Sequence, residues 1–538
     1  MSWRRAAAVL NVCFLIPCVL FAQQRFPAPK LPEPIRGSLV ICGGAKLPDV
    51  IWKRFHELAG GDQARLIVIP TASAAADKTP AEKTLEPWRR FEHASLHVLH
   101  TRSRETANNP DFVKPLTQAT GVWISGGDQS LLAAAYRGTA VEAELKKLLD
   151  RGGVIGGTSA GAAIMSRLMI AKGNPVAAIH EGLGLLPGIV IDQHFLKRDR
   201  VNRLVKVLAN HPGWAGMGID EETAVVVRGR SMSVIGNSYA VTMLAASSRR
   251  PASFQVLRPG DKADLLALGR AALARSQTPF PREKPAAPVV PHGALIIGGG
   301  GGMPAQIWQR FIAAAGGADA PIVVIPTALG EPLPKTIGEA KALQKFGARN
   351  VRVLHASDRA QAETPEFLAG LKDARGVWFS GGRQWRFVDS YLDTKAHQAF
   401  RDVLARGGVI GGSSAGASIQ SEYMPRGDPL GNLKIMAEGY ERGLGFLPGT
   451  AIDQHFFKRK RTQDMTELMA VFPQLLGIGI DESTALVVRG EVMEVIGKST
   501  VAVYNRRLPV APGKTDYEVL QPGDRYNMKN RERVEVKR

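Results

Sequence analysis

Cysteine is nearly absent from this chain of 538 residues, which contains three cysteines. Two of them lie before position 22, so a chain cleaved there keeps Cys42 alone and can form no internal disulfide. No H-E-x-x-H motif and no cluster of His and Cys with metal-ligand spacing occurs, which disfavours a metalloenzyme. Five glycines at 298–302 lack the following Lys-Ser/Thr of a nucleotide loop, so we interpret them as a turn. We therefore predict no metal and no other cofactor.

Long hydrophobic runs are also scarce, with one exception at the beginning of the chain. Residues 1–22 carry two arginines, then an apolar run and finally the small residue Ala22, which is the pattern of a cleaved signal peptide. A membrane anchor is the alternative, although the run is short and interrupted by Pro17. Lipid attachment at Cys18 is disfavoured because Pro17 stands where a small residue is expected. We expect an exported protein, periplasmic or extracellular, without a stable membrane span after cleavage.

Acidic residues are outnumbered by basic ones, 49 to 69, which gives a formal net charge of +20. Such an excess is compatible with a nucleic-acid partner, with an anionic surface, or simply with solubility. The basic residues are spread along the chain, and no run of them alternates with aromatic residues. We therefore expect no nucleic-acid partner.

The chain contains a tandem duplication. Short apolar stretches alternate with helix-like stretches, and the series restarts after a proline-rich segment. The sequence IWKRF at 51–55, for example, returns as IWQRF at 307–311. We predict two domains, at 36–274 and 292–538, joined by a linker at 275–291. The alternation predicts an α/β fold, in which each domain has a mostly parallel sheet with helices on both faces. Ligands bind such sheets at the carboxyl ends of the strands.

A glycine-rich segment around Ser159 is the centre of the first half. The sequence GGTSAGAA at 156–163 follows an apolar stretch and precedes a helix-like one, and GGSSAGA repeats it around Ser414. A serine among small residues at a strand-to-helix turn is typical of a nucleophile elbow, which lifts the hydroxyl above the sheet edge. The N–H of Ala160 would then stabilise developing negative charge. An incidental serine in a glycine-rich connection is the alternative, which the repetition disfavours.

The two copies narrow the search for a base, because a serine nucleophile needs one within hydrogen-bond reach, usually histidine. His455 is the sole histidine after Ser414, and its segment IDQHF matches the segment around His194. His100 and His355 also correspond, each at the end of an apolar stretch, and remain the rival candidates.

An acid that orients the histidine is predicted in the sequence GIDEETA at 218–224, which recurs as GIDESTA at 479–485. Both Asp220 and Glu221 have counterparts in the second copy. Neighbours in an extended stretch point to opposite faces, so one of the two can readily meet the histidine. The order serine, histidine, acid differs from that of the α/β-hydrolases and disfavours that superfamily.

Taken together, GGDQ at 126–129, the elbow, DQHF at 192–195 and GIDEETA resemble the cyanophycinases and their dipeptidase E relatives. The resemblance covers nearly all of both halves. It implies a glutamine-amidotransferase-like fold and a serine peptidase without a metal. It further implies the roles of nucleophile, base and orienting acid for Ser159, His194 and Glu221, and in the second half for Ser414, His455 and Glu482.

The resemblance also implies a substrate pocket beside the serine. The N–H groups of Gly127 and Ala160 would form the oxyanion hole. The matching positions for substrate binding are Gln129, Asp192, Gln193, Arg198, Arg200 and Arg203. Asp128 or Asp192 is expected to face a guanidinium of the substrate. Without the resemblance, these arginines are equally well interpreted as the solvated beginning of a helix.

The implied activity is hydrolysis of cyanophycin, a polyaspartate with arginine on each side chain, to β-Asp-Arg dipeptides. A dipeptidase for Asp-X or isoaspartyl peptides is one alternative, and an inactive binding protein for acidic peptides or polymers is another. Because related single-domain enzymes resemble homodimers, we expect the two halves to form an intramolecular pseudo-dimer.

Two charge reversals distinguish the halves. Asp128 corresponds to Arg383, and Arg203 corresponds to Asp464. A carboxylate and a guanidinium in contact keep one another charged, and reversing both preserves the attraction. We therefore expect Asp128 to face Arg203, with independent drift of two surface charges as the alternative.

Overall fold

The computed structural model describes residues 26–27, 29–507, 509–510 and 513–535. The predicted signal peptide at 1–22, with Cys18, lies outside these ranges. Among the described residues, no helix combines the length and apolar character needed to cross a membrane.

The first half contains a main sheet of eight strands, a sheet of four strands, a two-stranded sheet formed by the sixth and seventh strands, and the helices around them. Its strands are β1 (Ile35–Cys42), β2 (Arg65–Ile69), β3 (Ser95–Val98), β4 (Gly121–Ile124), β5 (Val154–Thr158), β6 (Leu168–Lys172), β7 (Ala178–Glu181), β8 (Ile189–Gln193), β9 (Ala215–Ile219), β10 (Thr223–Gly229), β11 (Ser231–Gly236), β12 (Ala240–Leu244), β13 (Ser253–Leu257) and β14 (Lys262–Asp264). Its helices are α1 (Asp49–Leu58), α2 (Ala81–Leu85), α3 (Pro110–Gln118), α4 (Gln129–Tyr136), α5 (Ala140–Asp150), α6 (Ala160–Ala163), α7 (Val201–Asn210) and α8 (Leu265–Ser276).

The main sheet of this half has eight strands in the order β14-β11-β10-β1-β5-β4-β2-β3. The five strands from β1 to β3 in that order are parallel, and the other three are antiparallel. Alternate residues of β1 enter different cores, Leu39 and Ile41 on one face and Val40 and Cys42 on the other. Burial on both faces explains the continuous apolar runs of the sequence. The predicted α/β fold is confirmed.

A small sheet, in the order β13-β12-β9-β8, is the element that sequence analysis did not anticipate. Its strands β8 and β9 are parallel, so their carboxyl ends lie side by side. His194 follows β8 directly, and Asp220 and Glu221 follow β9. The small sheet thus brings together the predicted base and the predicted acids.

The second half repeats this arrangement with a nine-stranded sheet, β17-β16-β18-β19-β15-β23-β24-β27-β28, and a five-stranded sheet, β20-β21-β22-β25-β26. Its strands are β15 (Val290–Gly298), β16 (Ile322–Ile325), β17 (Val351–Val353), β18 (Gly376–Phe379), β19 (Val409–Ser413), β20 (Ser421–Tyr423), β21 (Leu447–Gln454), β22 (Leu476–Ile480), β23 (Thr484–Gly490), β24 (Val492–Gly497), β25 (Val501–Asn505), β26 (Glu518–Leu520), β27 (Arg525–Asn527) and β28 (Glu532–Arg533). Its helices are α9 (Ala305–Ala315), α10 (Gly338–Lys345), α11 (Arg359–Ala362), α12 (Pro365–Ala369), α13 (Trp385–Tyr391), α14 (Lys395–Ala405), α15 (Ala415–Ser418) and α16 (Thr462–Val471).

The halves contact one another through a cluster of charges around Asp389 on α13. Arg230 and Arg270 of the first half lie 2.7 and 2.9 Å from its carboxylate oxygens. Tyr440 of the second half donates its hydroxyl to the same carboxylate at 2.8 Å. Arg275, at the end of α8, pairs with Glu438. The predicted linker therefore begins on a docked helix, and the pseudo-two-fold relation of the halves stays a prediction.

Removing the charge of Asp389 should weaken this contact. We expect Asp389→Asn to lower the free energy of unfolding by about 2 kcal/mol or more, because two largely buried guanidiniums lose a counter-charge. Denaturant unfolding measures the change. Asp319→Asn, which breaks a pair between two exposed side chains, is the matched control and should change little. Equal effects of the two substitutions would contradict the role assigned to Asp389.

Candidate active site

Ser159 lies at a strained turn between β5 and α6. Its φ of 52° and ψ of −109° fall in a region that residues other than glycine rarely adopt. Its backbone N–H donates to the Cys42 carbonyl at 3.1 Å, which holds the turn against the end of β1. Ser414 has nearly the same conformation, with φ of 55° and ψ of −115°. The elbow is therefore built twice.

The backbone after β1 holds His194 and makes room for its ring. The His194 N–H donates to the Gly43 carbonyl at 2.8 Å. A Cβ added to Gly44 would lie 2.3 Å from Cε1 of His194, and one added to Gly300 would lie 2.4 Å from Cε1 of His455. Glycine is required at both positions because the imidazole occupies the space of a side chain. Within the glycines at 298–302, Gly300 thus leaves the space that the imidazole of His455 occupies.

A continuous hydrogen-bonded chain joins serine, histidine and glutamate. The Ser159 Oγ lies 3.0 Å from Nε2 of His194, and Nδ1 of the same ring lies 2.7 Å from Oε1 of Glu221. Asp220 points elsewhere, since one of its oxygens accepts the Lys197 N–H at 2.8 Å and the other accepts the Ser238 hydroxyl. Such a chain can remove a proton from the serine hydroxyl during attack on a carbonyl.

The second half contains the same chain with matching distances. The Ser414 Oγ lies 2.9 Å from Nε2 of His455, and Nδ1 of His455 lies 2.7 Å from Oε1 of Glu482. Each serine and each histidine is partly or largely buried. No group of three or more His, Cys, Asp or Glu within the described ranges is arranged to hold a metal ion.

The rival histidine His100 has other partners. Its Nδ1 lies 2.8 Å from the Thr71 hydroxyl, and its Nε2 lies 3.0 Å from Asp77. Thr71 also contacts the hydroxyl of Tyr136 at 2.7 Å. In the second half, His355 makes the corresponding contacts with Thr327 and Glu331. These histidines hold the loop after the second strand rather than contacting the serines.

That loop supports the GGDQ segment near Ser159. The Asp128 N–H donates to the Ala72 carbonyl at 2.8 Å, and a Cβ on Gly127 would collide with the same carbonyl oxygen. A Cβ on Gly126 would lie 3.4 Å from Cβ of Ser159. Sequence analysis did not select Gly126, although its counterpart Gly381 recurs. Ala160, the other predicted oxyanion residue, begins α6 and is fully buried.

The predicted substrate residues divide into exposed and buried groups. Asp128 and Arg198 are exposed and free to meet a ligand. Gln129 is buried, and its amide donates to the carbonyls of Ile170 and Ala171. Arg200 donates to the backbone carbonyl of Gln193 at 2.7 Å and also contacts its side chain. Gln193 and Arg200 therefore brace the turn that carries His194.

The expected contact between Asp128 and Arg203 is wrong. Arg203 is buried and pairs with Asp192, whose side chain has no exposed surface. Asp128 instead caps α4 by accepting the Ser130 N–H at 2.8 Å. Burial raises the pKa of the Asp192 carboxyl, and the Arg203 guanidinium opposes this effect. Asp192 and Arg203 thus form an internal pair that does not face a substrate.

In the second half, the buried aspartate is kept but its arginine partner comes from a different position. Asp453, the counterpart of Asp192, accepts from Nε of Arg426 at 2.9 Å. Arg426 also binds Asp464, which occupies the position of Arg203, at 2.6 Å. Gln384 donates to the carbonyls of residues 425 and 426, as Gln129 does to those of residues 170 and 171. One guanidinium that pairs with the aspartate therefore comes from α7 in the first half, and in the second half from Arg426, at the position of Ala171. The position of Arg203 on α7 is acidic in the second half, where Asp464 occupies it.

Arginines near the ring influence the ionisation of His194. Burial lowers its pKa from the ordinary imidazole value, and Arg198 and Arg200 lower it further by repulsion. The hydrogen bond to Glu221 acts in the opposite direction without reversing the shift. Burial, with Arg459 and Arg461, has the same effect on His455. The lowered pKa of each imidazole favours the neutral form, which a general base requires.

The model of one protein family, peptidase family S51, matches the chain twice, at residues 39–235 and 294–496. A cyanophycinase of Geminocystis herdmanii is 34% identical over 242 residues, which are 42% of this chain and 88% of the relative. A cyanophycinase of Synechococcus elongatus is 32% identical over 231 residues, which are 42% of this chain and 70% of the relative.

Two solved structures are similar to part of the chain. A peptidase from an acI-B1 actinobacterium is 24% identical with a TM-score of 0.34, and the match covers 44% of this chain and 97% of that one. A putative peptidase E protein from Listeria monocytogenes is 19% identical with a TM-score of 0.31, and the match covers 39% of this chain and 100% of that one.

The relocated guanidinium can be tested at matched positions. We expect Arg203→Ala to lower the free energy of unfolding by about 3 kcal/mol, because Asp192 loses its closest counter-charge. Asp464→Ala, the control at the corresponding position, should cost less than about 1 kcal/mol because Arg426 keeps Asp453. Arg426→Ala should be as costly as Arg203→Ala. A larger loss at Asp464 than at Arg203, in denaturant unfolding, would contradict this assignment.

The pH dependence of serine reactivity should follow the lowered pKa of His194. In a Ser414→Ala chain, phosphonylation of Ser159 by a fluorophosphonate should reach half its maximal rate below about pH 6.5, the ordinary imidazole value. Arg198→Gln should move this midpoint to higher pH, because a cation that disfavours the imidazolium is removed. Arg459→Gln, the matched change in the second half, should leave the Ser159 profile unchanged. A midpoint that falls with Arg198→Gln would refute the electrostatic explanation.

Proposed function

The chain belongs to peptidase family S51 through both of its halves, and we propose that it is an exported enzyme that hydrolyses cyanophycin to β-Asp-Arg dipeptides. The observation that carries the proposal is the chain of hydroxyl, imidazole and carboxylate groups, which is present twice with distances that agree within 0.1 Å. The name of the curated relatives supports the choice of polymer. The signal-peptide pattern at 1–22 supports export.

In the proposed reaction, Ser159 Oγ attacks the carbonyl carbon of the scissile bond, and His194 Nε2 accepts the hydroxyl proton. Glu221 accepts from Nδ1 and stabilises the imidazolium that forms. Backbone N–H groups beside the serine, at Ala160 and in the Gly126-Gly127 segment, bind the oxyanion. The imidazolium then protonates the leaving amine. His194 then takes a proton from a water molecule, whose oxygen attacks the acyl carbon. The bond between this carbon and Ser159 Oγ breaks, and the imidazolium returns the proton to the serine.

The exposed side chains beside the site include a positive and a negative charge, which suits a substrate that carries charges of both signs. Arg198 lies close enough to lower the pKa of His194, and its side chain is exposed. A guanidinium there can bind a carboxylate of the polymer. Asp128 is exposed at the beginning of α4, where its carboxylate can meet the arginine of the substrate. In the second half, Arg383 replaces this carboxylate and binds the backbone carbonyls of Asp428 and Gly431.

The proposal is tested by quantifying β-Asp-Arg released from purified cyanophycin by the full chain and by serine variants. We expect the double variant Ser159→Ala/Ser414→Ala to lose at least about a thousandfold in rate, because the nucleophile is absent. Ser159→Ala alone should lose most of the activity and Ser414→Ala little, since Arg383 in the second half replaces the acidic Asp128. Ser248→Ala, at an exposed serine, is the control.

Equal losses in the two single variants would refute this division of labour. Cleavage of Asp-X dipeptides without any attack on the polymer would replace the proposed substrate by that of a dipeptidase. Binding of the polymer with no product, and no labelling of either serine, would indicate an inactive binding protein.

A further inference from the structure

The second site contains a carboxylate beside its nucleophile. The backbone N–H of Gly381 donates to Oε1 of Glu339 at 3.3 Å. Gly381 lies next to the elbow, since a Cβ added to it would be 3.4 Å from Cβ and 3.9 Å from Oγ of Ser414. Glu339 lies in the first turn of α10 and is half-buried. The side chain of Glu339 thus accepts a hydrogen bond from a backbone N–H that lies beside the nucleophile.

The N–H of Gly381 has the properties of an oxyanion-binding donor. It belongs to the segment that directly follows β18, at the edge of the sheet where ligands bind. A backbone N–H beside a serine nucleophile stabilises the negative charge that develops on the substrate carbonyl oxygen. A carboxylate is a stronger acceptor than an amide carbonyl, so Glu339 competes with the substrate for this donor.

The first half differs at this position. Gly126 has the same relation to Ser159 that Gly381 has to Ser414, with 3.4 Å between the added Cβ and the serine Cβ. The helix between the second and third strands of that half is α2, which has five residues, whereas α10 has eight. Across the described ranges, no side-chain carboxylate accepts the Gly126 N–H. The donor of the first site is therefore left for the substrate.

We infer that Glu339 determines which substrates the second site accepts: its carboxylate occupies the place of the substrate carbonyl oxygen and repels acyl groups that carry a negative charge beside the scissile bond. A substrate reaches Ser414 after displacing Glu339 from Gly381. The polymer carries a free carboxylate on the arginine of each side chain, so it is disfavoured in this competition, and the second site acts on it slowly although its serine, histidine and glutamate are in place. This inference rests on the proposed hydrolytic function of both sites.

The test uses the full chain with Ser159→Ala, so that Ser414 is the remaining nucleophile. An uncharged alkyl fluorophosphonate is the probe. Ser414 Oγ forms the bond to phosphorus, fluoride leaves, and His455 accepts the hydroxyl proton. We expect Glu339→Ala to raise the rate of Ser414 labelling by about tenfold, because the donor at Gly381 becomes free. Glu339→Gln should raise it less, since an amide oxygen can still accept the N–H.

Two controls make the measurement specific. Glu366→Ala removes an exposed glutamate in the first turn of α12 and should leave Ser414 labelling unchanged. In a Ser414→Ala chain, Glu339→Ala should leave the labelling of Ser159 unchanged. Thermal unfolding of each variant verifies that the fold is retained.

Unchanged or slower labelling of Ser414 in both Glu339 variants would overturn the inference. The proposed function fails separately: if cyanophycin is not cleaved but Ser414 labelling still rises in Glu339→Ala, the role of Glu339 stands and the polymer is the wrong substrate. Failure to label either serine in any variant would overturn both.

Discussion

The imidazole of His194 must contact groups from separate strand ends at the same time, and much of the local structure serves this requirement. The serine comes from the end of β5 in the main sheet, whereas histidine and glutamate come from the ends of β8 and β9 in the small sheet. The Gly43 carbonyl fixes the histidine backbone, and Gly44 leaves space for the ring. Ser159 and His194 both adopt positive φ values, which the surrounding packing must maintain.

The duplication shows which features of this arrangement tolerate change. Both halves keep the elbow and the glycine that leaves space for the imidazole ring. Both also keep the hydrogen-bonded chain of serine, histidine and glutamate, with distances that agree within 0.1 Å. One of the two guanidiniums that pair with the buried aspartate has moved, from Arg203 on α7 to Arg426 in the loop after β20. The other has kept its position, as Arg200 and Arg461. A buried carboxylate without a counter-charge is costly, so the partner can change position but cannot be lost.

The surroundings of the two serines differ more than their chemistry. In the first half, the exposed side chains of Asp128 and Arg198 lie beside the site. Among the described residues, no side-chain carboxylate accepts the backbone N–H of Gly126 there. In the second, Arg383 holds the backbone of the loop at Asp428 and Gly431, and Glu339 contacts Gly381. Two sites with the same arrangement of serine, histidine and glutamate can therefore differ in substrate because different charged side chains surround them.

The sequence by itself determined the α/β fold and the duplication, because these depend on local periodicity and on motifs that occur twice. It favoured His194 and His455 as the bases but left His100 and His355 as rivals, and the tertiary structure excluded these by giving them other partners. The extended pattern of the sequence alone left Asp220 and Glu221 as alternatives, since adjacent residues differ only in the face to which the backbone turns them, and the resemblance to the cyanophycinases selected Glu221. The sequence also misplaced Arg203, because a sign reversal between two copies does not say which opposite charge lies nearby. The small sheet, the contact of Glu339 with Gly381 and the substitution of Arg426 for Arg203 were decided by the tertiary structure, in which residues distant along the chain compete for the same donor or the same buried charge.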